Sequence, residues 1–141
     1  VIEKVSDFML KNPNIEACLT DVAFFDGNLP NYSITRYTSA KYFRPWMIRF
    51  GWIPPHPGIF FRKSYLTKLG PYDLKFKIAS DYELCLRAFL LDKVSFKFLD
   101  ICSVLMREGG VSTKNIKSKE NLLRNLNLKR NHLFLKNLSF H

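Results

Sequence analysis

One aspartate, Asp81, lies at the start of a predicted helix, where it could do chemistry. The stretch from Ser80 to Glu83 fits a capping box, with serine at the helix start and glutamate three residues on. An acidic side chain in the first turn also suits the helix dipole. A carboxylate held beside a hydroxyl group could instead accept its proton as a general base. Asp81 therefore has a structural interpretation and a catalytic one.

The spacing of residues along this helix does not decide between the two interpretations. Glu83 and Arg87 are four residues apart and are predicted to form a surface ion pair. Asp81 is predicted to lie with Leu84 and Cys85 along the buried side. A carboxylate at the edge of an apolar face is costly unless it is paired or used. Both interpretations stay open on this ground alone.

Length and composition describe one folded domain. The chain has 141 residues, of which 47% are hydrophobic and 15% aromatic, so it is long and apolar enough to bury a core. These values exclude a disordered tail. No apolar run approaches the roughly 18 residues needed to span a bilayer. The first ten residues lack the basic flank and apolar stretch of a signal peptide.

Cysteine and histidine usage predicts neither a disulfide framework nor a zinc site. The three cysteines are an odd number at wide spacings: Cys18, Cys85 and Cys102. The histidines do not cluster with cysteines or acids along the sequence. A reducing, cytoplasmic location is therefore expected.

The net charge of +10 predicts an anionic partner, such as nucleic acid, an anionic membrane surface or a phosphorylated ligand. From Lys114 onward there are seven Lys or Arg residues against the single acid Glu120, so the excess is mainly a property of the tail.

The hydrophobic pattern mixes helices and strands without a regular alternation, which predicts an α/β fold with a mixed sheet. Helices are predicted over residues 1–11, 63–70, 80–92 and 116–137. Strands are predicted over 15–26, 33–37, 58–63, 94–100 and 101–108. Residues 39–52 are aromatic and basic and are expected to be helical, with a break near Pro45.

An ordered set of motifs carries a resemblance to a known family. "PPHPGIFFRKSYLTKLGPYDLKFKIASDYELCLR", followed by "MREGGVS", resembles the acceptor-side half of family-two glycosyltransferases. These are inverting enzymes of the GT-A fold that use nucleotide sugars, and the closest look-alikes build bacterial surface polysaccharides. The resemblance covers residues 1 to about 125, and its strength lies in the order and spacing of the pieces.

The resemblance implies a fold and a reaction. Residues 1–113 would form the C-terminal, acceptor-side half of a GT-A fold, and residues 114–141 a basic amphipathic helix. Asp81 matches the family's general base, and the acceptor would be a glycan or a lipid-linked sugar. The nucleotide-binding half and its aspartate-rich metal motif would precede Val1. Ligands of the expected divalent cation, Mg²⁺ or Mn²⁺, would then lie mostly outside this chain, which is expected to be inactive alone.

Further candidates for substrate binding have structural interpretations beside the functional ones. The set comprises His56, Arg62, Ser80, Trp52, Gly109 and Gly110. His56 could bind the acceptor or a donor phosphate, or simply be satisfied by the backbone of its proline-rich loop. Trp52 could stack on a sugar or touch a membrane, although core or lid packing is favoured. Asp21 and Asp26 are expected to cap strand ends.

The tail has three possible partners. A basic amphipathic helix could bind the anionic inner face of the cytoplasmic membrane. It could equally pack on its own domain or on a second subunit. A sheet without its other half would expose an edge, so the isolated chain is expected to self-associate.

Two rival functions remain beside sugar transfer. One is a non-catalytic transferase half that acts as an interaction module. The other is a nucleic-acid-binding domain, which abundant aromatics and positive charge would suit. The concentration of charge in the tail and the lack of a binding signature argue against nucleic acid as a partner.

Overall fold

One long strand organises the molecule in the computed structural model, which describes residues 1–28, 30–72 and 80–108. Strand β1 runs from Ala17 to Asn28, and its first seven residues are all buried. Its run of apolar side chains is what a strand covered on both faces requires. The predictions for Gly109, Gly110 and the tail helix at 114–141 lie outside the described residues.

Three strands pair with β1 and make a mixed four-stranded sheet, which confirms the predicted α/β class. Strand β2, Asn31–Thr38, forms an antiparallel hairpin with the second half of β1. Strand β3, Ile59–Phe61, pairs antiparallel with Ala17–Leu19. Strand β4, Phe96–Arg107, runs parallel to β1 along most of its length. Because β4 occupies one edge of β1, β2 and β3 share the other edge.

Strand β4 corrects the prediction of two separate strands at 94–100 and 101–108. It is a single strand of 12 residues. Asp100, where the prediction placed the end of the first strand, lies within this strand, at a point where the register between β1 and β4 shifts. Within the part of the chain that the structure describes, no strand pairs with the other edge of β4.

Helix α1, Ile2–Lys11, covers one face of the sheet. Its buried residues Val5 and Met9 pack with Ile15 and Cys18. The short helix α2, Lys63–Leu69, ends at Gly70, as predicted; the φ of +88° at this glycine suits a residue without a side chain.

The other face of the sheet carries the larger core. Helix α3, Ser80–Cys85, continues into a wider π-helical turn over Leu86–Leu91, in which the Asp92 amide donates to the Arg87 carbonyl. Phe89 from this turn packs against Phe43 and Phe96, so aromatic rings fill the centre of this core.

The aromatic, basic segment before residue 52 differs from its prediction at one point. A 3₁₀ helix spans Pro45–Phe50, and Pro45 begins it instead of breaking it. The first helical position has no amide bond to lose, so proline fits there. No described helix is long and apolar enough to cross a membrane.

Candidate functional site

The structure brings together two of the candidates, His56 and Asp81. The imidazole Nδ1 lies 3.3 Å from the carboxylate Oδ2, and each side chain is 44% exposed. Asp81 was expected to point along the buried side of its helix, and this exposure corrects that expectation. The carboxylate is therefore both paired with a histidine and accessible to a ligand from solvent.

His56 is positioned by a turn that packs closely against β1. This short turn spans His56–Gly58, and the Gly58 amide donates to the Pro55 carbonyl. The Thr20 hydroxyl donates to the Gly58 carbonyl at 2.9 Å. A Cβ on Gly58 would lie 2.7 Å from the Thr20 carbonyl oxygen, so only glycine fits here without a shift. The turn that carries His56 is thus held directly against the central strand.

Helix α3 is fixed by bonds from both of its sides. The Tyr82 hydroxyl donates to the Ile48 carbonyl. Glu83 and Arg87 form the predicted ion pair through two contacts, of 2.8 and 2.9 Å. Arg87 also donates to the Pro71 carbonyl just after α2. The ion pair is partly buried and connects α3 to the end of α2, so it is not the surface pair that was predicted. These bonds hold the backbone that presents Asp81.

The charge of Asp81 acts on two neighbouring side chains. Burial, and after it the Asp81 carboxylate, raises the pKa of the Cys85 thiol to about 12. The same two causes, in the same order, raise the pKa of Tyr72. Cys85 therefore stays a neutral thiol and packs in the core, as predicted, and it is no nucleophile.

The remaining sequence candidates lie in different settings. Ser80 opens α3 beside Asp81. Trp52 is partly exposed and packs its ring against Phe43, with centroids 5.7 Å apart. Arg62 donates to the carbonyls of Met9 and Asn12, at the end of α1, and to that of Ile15. These bonds give Arg62 a structural role, because they connect the residue after β3 to the end of α1 and to the segment that leads into β1.

Asp21 has a role that the sequence analysis missed. It lies within β1 and is only 3% exposed, so its interpretation as a strand-end cap is wrong. One of its oxygens accepts from the Tyr37 hydroxyl at 2.7 Å, and the other from the Ala40 amide at 2.9 Å. The bond to Asp21 is the main cause that raises the pKa of Tyr37 to about 12. The available signal was an acid within a predicted strand that is mostly apolar.

A metal site does not arise from the described residues. Across residues 1–28, 30–72 and 80–108, no three His, Cys, Asp or Glu side chains lie close enough to hold an ion together. The expectation that the ligands of a divalent cation lie mostly outside this chain stays a prediction. The His56–Asp81 pair can, by itself, accept a proton from a hydroxyl group placed against the free side of the carboxylate.

No protein-family model matches the sequence, and the search of curated proteins found no match.

Proposed function

We propose that this chain supplies the acceptor side and the general base of an inverting glycosyltransferase. The enzyme would move a sugar from a nucleotide-diphosphate sugar to a hydroxyl of a glycan or lipid-linked acceptor. The observation that carries the proposal is the contact between His56 and an accessible Asp81. The motif resemblance supports it independently, because it implies a base at this position.

Asp81 performs the proton transfer in this proposal. It removes the proton of the acceptor hydroxyl while the oxygen forms a bond to the anomeric carbon. The bond from that carbon to the nucleotide diphosphate breaks, and the diphosphate leaves with the electron pair. Because attack comes from the face opposite the leaving group, the configuration inverts. Holding both sugars in line supplies much of the rate enhancement.

His56 orients the base. Its Nδ1 faces Oδ2 of Asp81, and Oδ1 takes the proton of the acceptor hydroxyl. A histidine beside a carboxylate restricts its rotation, so the oxygen that takes the proton is held in one place. The rigid turn behind His56 makes this restriction effective, because Gly58 cannot move away from β1 without losing its bond to Thr20.

The role of this chain in the proposed reaction is limited to the acceptor. Binding of the donor nucleotide and departure of the diphosphate are not assigned to the described residues. Asp81 and His56 act only on the acceptor hydroxyl.

Asp81→Asn in the full reading frame tests the proposal. We expect transfer to an acceptor extract to fall on the order of 100-fold or more, because asparagine cannot take the proton. Binding of the nucleotide sugar should be unchanged. The readouts are radiolabelled sugar transfer and calorimetric donor binding.

Asp92→Asn is the matched control. Asp92 ends the same helical segment, is 36% exposed and also lies near a basic group, 4.0 Å from Lys68 Nζ. Its replacement should change transfer less than a few-fold. If Asp81→Asn kept transfer in that same range, Asp81 would be only a helix-start acid and the proposal would fail.

A further inference from the structure

Residues 41–52 include three aromatic side chains that are more than half exposed. Tyr42, Trp46 and Phe50 are 73%, 55% and 81% exposed, respectively. Phe43 and Ile48, from the same segment, are fully buried and anchor it to the larger core. The segment is therefore held rigidly while its other rings face solvent. Large apolar side chains grouped in this way mark an interaction surface.

The charge of this segment is entirely positive. Lys41, Arg44 and Arg49 are exposed, and residues 41–52 contain no aspartate or glutamate. The ammonium group of Lys41 lies 5.9 Å from the centroid of the Tyr42 ring, so cation and ring are presented together. A partner for this surface must offer apolar groups and negative charge at once.

Helix α1 also has exposed apolar side chains, but it lacks the excess of positive charge. Ile2 and Leu10 are as exposed as the three rings. The helix nevertheless has two acids and two lysines and no net charge. Of these two segments, residues 41–52 alone combine exposed aromatic rings with a net positive charge.

The packing of two rings favours one kind of anionic partner. Trp46 and Phe50 meet edge to face, with centroids 5.9 Å apart and planes at 85°. A platform for nucleobases needs open, successive ring faces. A crossed pair forms a wedge instead, which suits insertion among acyl chains while Tyr42 and the cations stay at the level of the lipid phosphates.

We propose that residues 41–52 dock the protein on the surface of an anionic lipid bilayer. Trp46 and Phe50 enter the boundary between headgroups and acyl chains, and Lys41, Arg44 and Arg49 bind lipid phosphates. This inference is independent of the proposed sugar transfer, because none of its residues belongs to the His56–Asp81 pair.

Co-sedimentation with vesicles tests the docking of the whole chain. We expect binding to vesicles of equal phosphatidylglycerol and phosphatidylcholine, and weak binding to phosphatidylcholine alone. Trp46→Ala/Phe50→Ala should lower the partition coefficient roughly tenfold or more, because two apolar anchors are lost. Ile2→Ala/Leu10→Ala removes apolar groups of similar exposure from α1 and should leave binding unchanged. Circular dichroism verifies that both variants stay folded.

Tryptophan fluorescence locates the contact. The chain has two tryptophans, so Trp52→Phe leaves Trp46 as the only reporter. Its emission should shift to the blue on anionic vesicles and be quenched by brominated acyl chains.

Three outcomes would overturn the docking proposal. Sedimentation with unchanged Trp46 emission would mean that another part of the chain binds the lipid. Quenching of Trp46 by a single-stranded oligonucleotide, with no response to vesicles, would mean that the surface binds nucleic acid. Absence of binding to anionic vesicles would remove the proposal altogether.

Discussion

Two aspartates of this protein, Asp21 and Asp81, meet opposite environments. Asp21 is 3% exposed, and both of its oxygens accept bonds from the chain itself. Asp81 is 44% exposed, and its contact with His56 involves one oxygen. A carboxylate whose bonds are complete inside the fold holds structure together. A carboxylate that is positioned but still open to solvent has capacity left for a ligand.

The two environments are joined through neighbouring residues of β1. Thr20 bonds the turn that carries His56, and Asp21, the next residue, bonds the Ala40 amide after β2. The buried part of β1 therefore supports the exposed pair. The two aspartates can be compared by mutation, and so can the dependence of the His56–Asp81 pair on β1.

The largest difference should be in stability. Asp21→Ala should lower the free energy of unfolding by about 3 kcal/mol, because the buried Ala40 amide loses its acceptor. Asp81→Ala should change it by about 0.5 kcal/mol or less, since an exposed ion pair contributes little. Denaturant unfolding of both variants measures the difference. Equal losses would show that Asp81 is a structural acid like Asp21.

Gly58→Ala tests how far the pair depends on β1. The new Cβ would meet the Thr20 carbonyl oxygen at 2.7 Å, so we expect a loss of about 2 kcal/mol. The rate of sugar transfer should fall as well, because His56 must shift. Thr20→Ser keeps the hydroxyl that bonds Gly58 and should cost less than about 1 kcal/mol. Full transfer in a Gly58→Ala protein would show that His56 needs no such support.

The smallest effect concerns the titration of Tyr37. Its pKa rises from the ordinary 10 to about 12, chiefly through the bond to Asp21. A raised pKa means that the folded state favours the protonated phenol. The stabilisation is thus complete below pH 10 and is lost as the pH rises towards 12.

Tyrosine NMR across this pH range checks the shift. Asp21→Asn removes the negative charge that accepts the bond, so Tyr37 should ionise at lower pH in this variant. Asp81→Asn serves as the control and should leave the Tyr37 titration unchanged. An identical titration in wild type and Asp21→Asn would show that Asp21 does not control the phenol.

The elements that depend on nearby residues were predictable. Helix α1 follows from apolar spacing, and the end of α2 follows from Gly70 and the proline after it. The Glu83–Arg87 pair follows from the helical repeat. In each of these cases the signal lies within a few residues of the feature. The role of Asp81 as a base stays a prediction, which rests on its place at a helix start and on the resemblance.

Features that join distant residues were not predictable. The local residue pattern did not indicate that His56 would contact Asp81, because a turn and a helix start do not specify each other's position. Only the resemblance implied that the turn with His56 lies near the active cleft. The parallel pairing of β1 with β4 likewise depends on the packing of everything between them. Asp21 was misinterpreted because its two partners come from the hairpin strand and the segment after it.

The position of β1 at the centre of the sheet has a consequence during synthesis. β1 leaves the ribosome before the strands that pair with it, and its hairpin partner β2 follows within a few residues, but β4 is the last described strand to appear. Until then one whole side of an apolar strand has no neighbour, and contacts between distant parts of a chain form slowly. The growing chain is therefore most prone to aggregate before Arg107 emerges, and a chaperone that holds β1 during that interval would raise the yield of folded protein.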